Sequence, residues 1–409
     1  ENGGWERQIN GISNNEKAVL LLEKRTFKEL LVDMELRNLQ NNIVGQEASR
    51  LFARAEINMG VEAFRDSLYS LLKRNTFLNI KFENMLDTLG EISRTDIRSL
   101  LGEWEKTTPL PFYSLGEPTL TKITNKGGEE FFVLKMLISN NSDYDRIIHM
   151  DIRKDGWWYQ PLEDPRAKTK IEMPAHTSKE FVSVWEDQIR NVEINTMVSG
   201  NLPNIISQDI NNVKQERNKI VKDSIYILPE SSFDLPGEII VDNEDSTLFI
   251  LSAPPIVGLL PKWLDEVEET PFKYSGISWW RPPLQWTATT NDRYYGKYIR
   301  SAFVIKSGDG SQTATWKVPV PEVGQYDLYY HVFKDDELRW NNNLQGEYHF
   351  KVKYGSEVED AYVNLRKANE GWEQLGSYYF DSDTIRVVLT DECKLRSVTA
   401  DAVKIVKRY

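Results

Sequence analysis

The chain has 409 residues, which exceeds one ordinary domain and points to two or three. Hydrophobic residues make up 40% and charged residues 27%, a globular balance that excludes a disordered chain. The net charge of −12 repels phosphate backbones, and no contiguous Lys/Arg block is present to grip anionic lipid, so no nucleic-acid partner is expected.

Cys393 is the single cysteine, so no internal disulfide forms, and the compartment stays open on that ground. No stretch reaches the roughly 20 apolar residues of a membrane helix. The longest apolar runs, such as Ala18-Val19-Leu20-Leu21-Leu22, are core-sized, and no membrane insertion is expected within this chain. It opens on Glu1-Asn2-Gly3-Gly4 without an initiator Met, and reads as a mature or excised piece whose targeting segment lies elsewhere.

The fold class expected is multidomain α plus all-β: an N-terminal helical segment followed by two antiparallel β-sandwiches. Residues 1–111 read as the helical domain. Asn14 and Asn15 suit a helix cap, and Ala18, Leu21 and Leu22 fall on one helical face. Phe27, Leu30, Leu31 and Met34 continue the pattern, as do Phe64, Leu68, Leu71 and Leu72, then Met85, Leu86 and Leu89. Pro109 and Pro111 end it. From 112 to 205 the period becomes two. Runs such as Phe131–Ile138, Ile147–Ile152, Phe181–Trp185 and Val192–Asn195, separated by turn-formers, predict a β-sandwich. Residues 206–236 are polar and read as a linker, with a short helix or an extended crossing both open. Residues 237–409 are β again, with strands over Glu238–Val241, Ala314–Val318, Tyr326–Val332, Tyr348–Lys353 and Ile385–Leu389. A Trp- and Pro-rich insertion over about 250–290 interrupts this domain.

Bond-breaking chemistry finds no local signature. Only His149, His176, His331 and His349 exist, no H-E-x-x-H is present, and each reads as a strand or loop histidine. No G-x-S-x-G elbow, Walker loop or G-x-G-x-x-G occurs. Cys393 lacks the context of a thiol nucleophile. No catalytic residue is therefore assigned. Carboxylate pairs are abundant, as any acidic chain supplies them, so they do not single out a glycosidase. The oxygen-rich loops Asp242-Asn243-Glu244-Asp245 and Asp381-Ser382-Asp383 make Asp242, Asp245, Asp381 and Asp383 weak calcium candidates. Solvated turns are the plainer reading there, and no other cofactor is expected.

Two resemblances add to this. Glu238-Ile239-Ile240-Val241-Asp242-Asn243 is followed by Tyr294-Tyr295-Gly296, Ala314-Thr315-Trp316, and Val318-Pro319-Val320-Pro321-Glu322-Val323-Gly324-Gln325-Tyr326-Asp327-Leu328. Gly371-Trp372-Glu373-Gln374-Leu375-Gly376-Ser377-Tyr378-Tyr379-Phe380 and Ala400-Asp401-Ala402-Val403-Lys404 close the order. Over about 237–408 this resembles the golvesin C-terminal-like domain, also described as the xanthan lyase carbohydrate-binding-like domain. That resemblance implies a β-sandwich appended to secreted enzymes and surface proteins, with Trp316 and Trp372 in its core. More loosely, Gly60-Val61-Glu62-Ala63-Phe64, then Phe77, Phe82, Leu86, Leu100-Leu101-Gly102-Glu103-Trp104 and Pro109-Leu110-Pro111 follow one another. Over about 50–205 this order is similar to the post-catalytic tail of aminopeptidase N-type gluzincins, whose zinc motif has no counterpart in this chain.

Aromatics reach 11% and crowd after about residue 270. Aromatic rings stack on sugar faces and also dominate protein interfaces. Trp279, Trp280 and Trp286 in the insertion, with Trp340 beside Asn341-Asn342-Asn343, are the ligand-binding candidates. The expected function is a non-catalytic binding or scaffolding region of a larger bacterial protein, periplasmic, cell-surface or extracellular, contacting carbohydrate or a partner protein at the cell envelope. The alternative is the C-terminal fragment of a zinc aminopeptidase-like or polysaccharide-degrading enzyme with its catalytic domain upstream.

Overall fold

The structure, a computed structural model, describes residues 3–76, 78–94, 96, 106–107, 109–154, 160–210, 212–217, 219–230, 237–252, 272–278, 281–334 and 346–408. The chain divides into two compact units. One is Asn14–Phe233; the other joins Glu1–Ser13 to Asp234–Tyr409.

The chain begins with α1 (Gly3–Asn10), which belongs to the C-terminal unit rather than to the helical segment that follows it in sequence. Its exit is a backbone-to-backbone contact. Gly11 has φ +79, and a Cβ on it would lie 2.4 Å from the backbone of Ser275; one on Gly276 would lie 1.9 Å from the Ile9 carbonyl oxygen. Only glycines permit that approach. Thr290 Oγ1 donates to the Gly11 carbonyl at 2.6 Å, fixing the seam.

The Asn14–Phe233 unit starts with α2 (Asn14–Lys24), α3 (Phe27–Val32), α4 (Gln40–Met59), α5 (Val61–Arg74) and α6 (Phe82–Ser93). A reciprocal cap starts α3. Thr26 Oγ1 accepts from the Glu29 amide at 3.2 Å, and the Glu29 carboxylate accepts from the Thr26 amide at 2.9 Å. Two small apolar clusters hold the helices. One gathers Ala18, Leu22, Phe27, Leu30, Leu39 and Ile43; the other gathers Ala55, Phe64, Leu86 and Leu89. The helical periodicity picks out Ala18, Leu22, Phe27, Leu30, Phe64, Leu86 and Leu89 of these, whereas Leu31, Met34 and Leu72, read on the same faces, are exposed.

Among the described residues, eleven strands follow in this unit: β1 (Tyr113–Leu115), β2 (Thr119–Thr124), β3 (Glu130–Asn140), β4 (Arg146–Lys154), β5 (Gln160–Pro161), β6 (Lys168–Met173), β7 (Thr177–Trp185), β8 (Ile189–Asn195), β9 (Ile205–Asp209), β10 (Val213–Arg217) and β11 (Ser224–Pro229). One sheet runs β10-β2-β3-β7-β11, with β1 on β3; the other runs β5-β4-β8-β9, with β6 on β4. Their inner faces share a core that includes Leu134, Met136, Ile148, Met150, Phe181 and Ile194. The linker expected over 206–236 is corrected for its described residues, where β9 to β11 complete both sheets; 231–236 lie outside the described residues. The polar strand β10 lies parallel to β2 at a sheet edge, where Lys214 and Gln215 are exposed. Edge strands carry charge for solubility, which is why this one reads as linker in sequence.

Among the described residues, the C-terminal unit holds twelve strands: β12 (Glu238–Val241), β13 (Phe249–Ser252), β14 (Thr287–Thr290), β15 (Ser301–Lys306), β16 (Thr313–Pro319), β17 (Gly324–Val332), β18 (Glu347–Tyr354), β19 (Glu357–Asn364), β20 (Gly371–Phe380), β21 (Thr384–Thr390), β22 (Ser397–Ala400) and β23 (Val403–Lys407). A sheet β12-β23-β17-β20 packs on a sheet β13-β16-β21-β18-β19, and β14-β15-β22 forms a smaller third sheet. The shared core includes Trp316, Tyr326, Tyr330, Phe350, Phe380 and Val387. Tyr330 is fully buried and its hydroxyl donates to the Thr399 carbonyl at 2.5 Å, so the ring adds area without leaving a polar atom unmet.

Candidate functional site

The most developed polar arrangement of the C-terminal unit lies on the outer face of the sheet β12-β23-β17-β20. Strand alternation sets it up: Tyr326, Leu328, Tyr330 and Val332 of β17 point inward, leaving Gln325, Asp327, Tyr329 and His331 outside. On β20, Trp372 stands opposite His331 and Gln374 opposite Tyr329; on β23, Lys404 stands on the other side of Tyr329. The register between β17 and β20 slips by one residue at Leu328/Tyr329, a bulge with Leu375 as the extra residue of β20.

Asp401 anchors the upper end. It is fully buried between β22 and β23, and burial, the largest influence, pushes its carboxyl above the usual range. One of its oxygens lies 2.8 Å from His331 Nδ1, and the carboxylate accepts from the Tyr295 amide at 3.1 and 3.2 Å. With the carboxylate accepting from Nδ1–H, Nε2 becomes the acceptor that the imidazole can offer. The Trp372 ring packs 5.2 Å from His331 at 77° and 5.1 Å from Tyr295, with Lys404 Nζ 4.9 Å from its centre. Lys404 is also bound to Glu238 at 3.0 Å.

Further along the face, Gln374 Nε2 donates to Asp327 at 3.0 Å, Arg408 Nε binds the other Asp327 oxygen at 2.8 Å, and the Ser377 hydroxyl also donates to Asp327. The Arg408 guanidinium, first among the causes, holds the Asp327 carboxyl below its ordinary value. Rings, an imidazole, an amide, a hydroxyl and a braced carboxylate thus share one sheet face. Such a face can cover the apolar side of a ligand and hydrogen-bond its polar rim. No Ser, Thr or Cys hydrogen-bonds His331 among the described residues.

Of the candidates named from sequence, Trp279, Trp280 and Trp340 lie outside the described residues. Trp286 is half-buried and packs against the sandwich core. Trp316 is a fully buried core ring, whereas Trp372, expected in the core, is half-buried on the outer face because it pairs with the outward His331. Asp242 and Asp245 make a turn: Asp245 accepts from the Asp242 amide at 2.9 Å, and Asp242 accepts from the Asn243 amide at 2.7 Å. Burial above all, then Asp401, drives the Asp242 carboxyl well above the usual range. Asp381 and Asp383 are exposed in the turn between β20 and β21. Among the described residues, no three His, Cys, Asp or Glu side chains converge to hold a metal. In the Asn14–Phe233 unit, a cavity is lined by Arg50, Arg54, Arg146 and Met197, but Arg50 already binds Glu47 and Arg54 binds Glu172.

Sequence reasoning missed the His331–Asp401 pair. The one signal was an acidic residue set between alanines, Ala400-Asp401-Ala402, in an otherwise buried strand pair.

Fold and site define an antiparallel β-sandwich module with an aromatic and polar outer face. Residues 282–407 match the family profile of the Golvesin C-terminal domain. β12 and β13 lie ahead of that match, yet β12 is paired to β23, so the folded unit is longer than the matched segment. No curated protein matches the chain. Among solved structures, a Bacteroides uniformis β-glucuronidase is similar at 11% identity and a TM-score of 0.21, over 78% of this chain and 32% of its own. A Legionella pneumophila aminopeptidase A is similar at 17% identity and a TM-score of 0.14, over 31% of this chain and 14% of its own. A Phanerochaete chrysosporium exo-β-1,3-galactanase is similar at 7% identity and a TM-score of 0.23, over 72% and 69%. The chain spans about a third of the β-glucuronidase's length, and at these scores the likenesses carry no argument.

Proposed function

We propose that this chain is a non-catalytic binding region of a larger secreted or envelope-facing bacterial protein, and that its C-terminal sandwich contacts carbohydrate. The match to the Golvesin C-terminal domain, a non-catalytic module of extracellular bacterial proteins, supports the class and the location. The observation that carries the ligand reading is the outer face of β12-β23-β17-β20. There Trp372, Tyr295 and His331 form a braced aromatic and imidazole group beside the Asp327–Gln374–Ser377 hydrogen-bonding row. A sugar ring presents an apolar C–H face and a hydroxyl rim, and this pairing of surfaces meets both. Trp279, Trp280, Trp286 and Trp340 stand in the proposal as a second aromatic set.

A glycan array with the wild-type chain, Trp372→Ala and Trp279→Ala/Trp280→Ala tests the reading. We expect wild-type binding that Trp372→Ala reduces about tenfold or more, the loss of one good stacking contact. Equal retention by Trp372→Ala and the double variant would remove stacking on both surfaces. Absence of wild-type binding to any glycan would remove carbohydrate as the ligand.

A further inference from the structure

The second large sheet of the C-terminal unit carries a row of cations. On adjacent strands Lys353 of β18 stands opposite Arg386 of β21, and Arg386 stands opposite Lys317 of β16. All three project from the outer face, because their neighbours Val352, Val387 and Val318 fill the core. Strands lie about 4.8 Å apart, so three positive charges line up across roughly 10 Å. Lys351, two residues before Lys353, adds a fourth on the same face.

Like charges directly opposite one another destabilise a sheet, and this chain has 62 acidic residues with which to neutralise them. Elsewhere in the same unit it does so: Lys404 binds Glu238, Arg408 binds Asp327, Arg293 binds Glu370, Lys273 binds Glu244 and Lys407 binds Glu322. Among the described residues, Lys317, Lys351, Lys353 and Arg386 have no carboxylate partner. Asp360, which faces Lys351 across β18 and β19, is engaged by His349 Nε2 at 2.7 Å. Thr315 and Thr384 flank the row with hydroxyls.

We propose that the row Lys353–Arg386–Lys317 is a binding site for an acidic polysaccharide, a chain carrying carboxylate groups along its length. Arg386 at the centre offers the planar fork that takes a carboxylate in bidentate fashion, and the flanking lysines act as point charges on neighbouring groups. A flexible polyanion can bring carboxylates of different sugar units to the three cations, which span roughly 10 Å. A thin polyanion meets only this row. A membrane or a duplex would bring its charge against the rest of a surface whose chain totals −12, which repels it beyond the row.

The test is binding of the whole chain to polygalacturonate over a salt series, with dextran, dextran sulfate, anionic phospholipid vesicles and duplex DNA as comparators. Variants are Lys317→Glu/Arg386→Glu, and Lys306→Glu, an exposed lysine of β15 outside the row, as a control. We expect polygalacturonate to bind in preference to every comparator, to weaken as salt rises, and to lose about tenfold or more in the reversed variant. Lys306→Glu should bind polygalacturonate as wild type, which shows that the loss belongs to the row and not to a general change of charge. Circular dichroism melting checks that the reversed variant is folded. If it is not, Lys317→Gln/Arg386→Gln replaces it. Unchanged affinity in a folded variant, no binding by wild type, or stronger binding to dextran sulfate, vesicles or DNA would overturn the proposal.

Discussion

At the scale of single residues, Asp401 shows how one buried carboxylate organises a surface. It sits at 0% exposure and accepts from the Tyr295 amide and His331 Nδ1, so the loop holding Tyr295 and the outward histidine share one acceptor. An alanine there leaves those donors without an acceptor in a site closed to water. Each orphaned donor costs about 1–3 kcal/mol, so Asp401→Ala should destabilise the C-terminal unit by about 2–5 kcal/mol in urea titration. A loss under 1 kcal/mol would show that neither donor depends on it. His331→Ala removes one partner and keeps the other, and should cost less.

At the scale of elements, His176 ties two pieces of the first sandwich together. It adopts φ +49 in the turn before β7, and its ring nitrogens reach Asp143 at 2.7 Å and Glu230, just after β11, at 2.8 Å. Asp143, then Glu230, raises the imidazole above its ordinary value. The folded chain therefore binds the proton more tightly than the unfolded one. The contribution is complete below about pH 6.5 and is lost as pH rises through the folded value. The protection of β11 amides, taken relative to their intrinsic exchange at each pH, should fall across that rise, and His176→Gln should flatten the dependence. A β11 protection free of this pH step in wild type would remove the link. The size is modest, since the ring is half exposed and the pair is open to solvent screening.

At the scale of the whole molecule, the two units have separate cores. Trp316, Tyr330 and Phe350 belong to one; Met136, Ile148 and Phe181 belong to the other. Trp316 is fully buried, and truncating such a ring to alanine costs about 3–5 kcal/mol through lost transfer energy and the cavity left behind. Calorimetry should resolve two transitions, and Trp316→Ala should lower one of them while leaving the other in place. A single transition that moves as a whole would show that the units unfold together.

Periodicity was enough, by itself, to place the helical region from α2 onward, the two sandwiches and their longer strands, because each buries one repeating face: Leu22 and Leu30 in helices, Tyr326, Leu328 and Tyr330 in a strand. It failed for β9 to β11: β10 is mostly charged and polar, and β11 leaves Ile225, Tyr226 and Ile227 exposed, so neither shows the alternation of a half-buried strand although sheet pairing stabilises both. Function was less legible. The golvesin-type order was readable because its pieces keep a fixed succession along the chain, but Lys317, Lys353 and Arg386 are far apart in the chain and look like scattered charge until strand register sets them side by side. Asp401 and His331 are likewise 70 residues apart and meet only because β17 lies against β23. Local pattern determines which residues face inward; which outward residues become neighbours is set by non-local pairing, and only the tertiary structure contains that information.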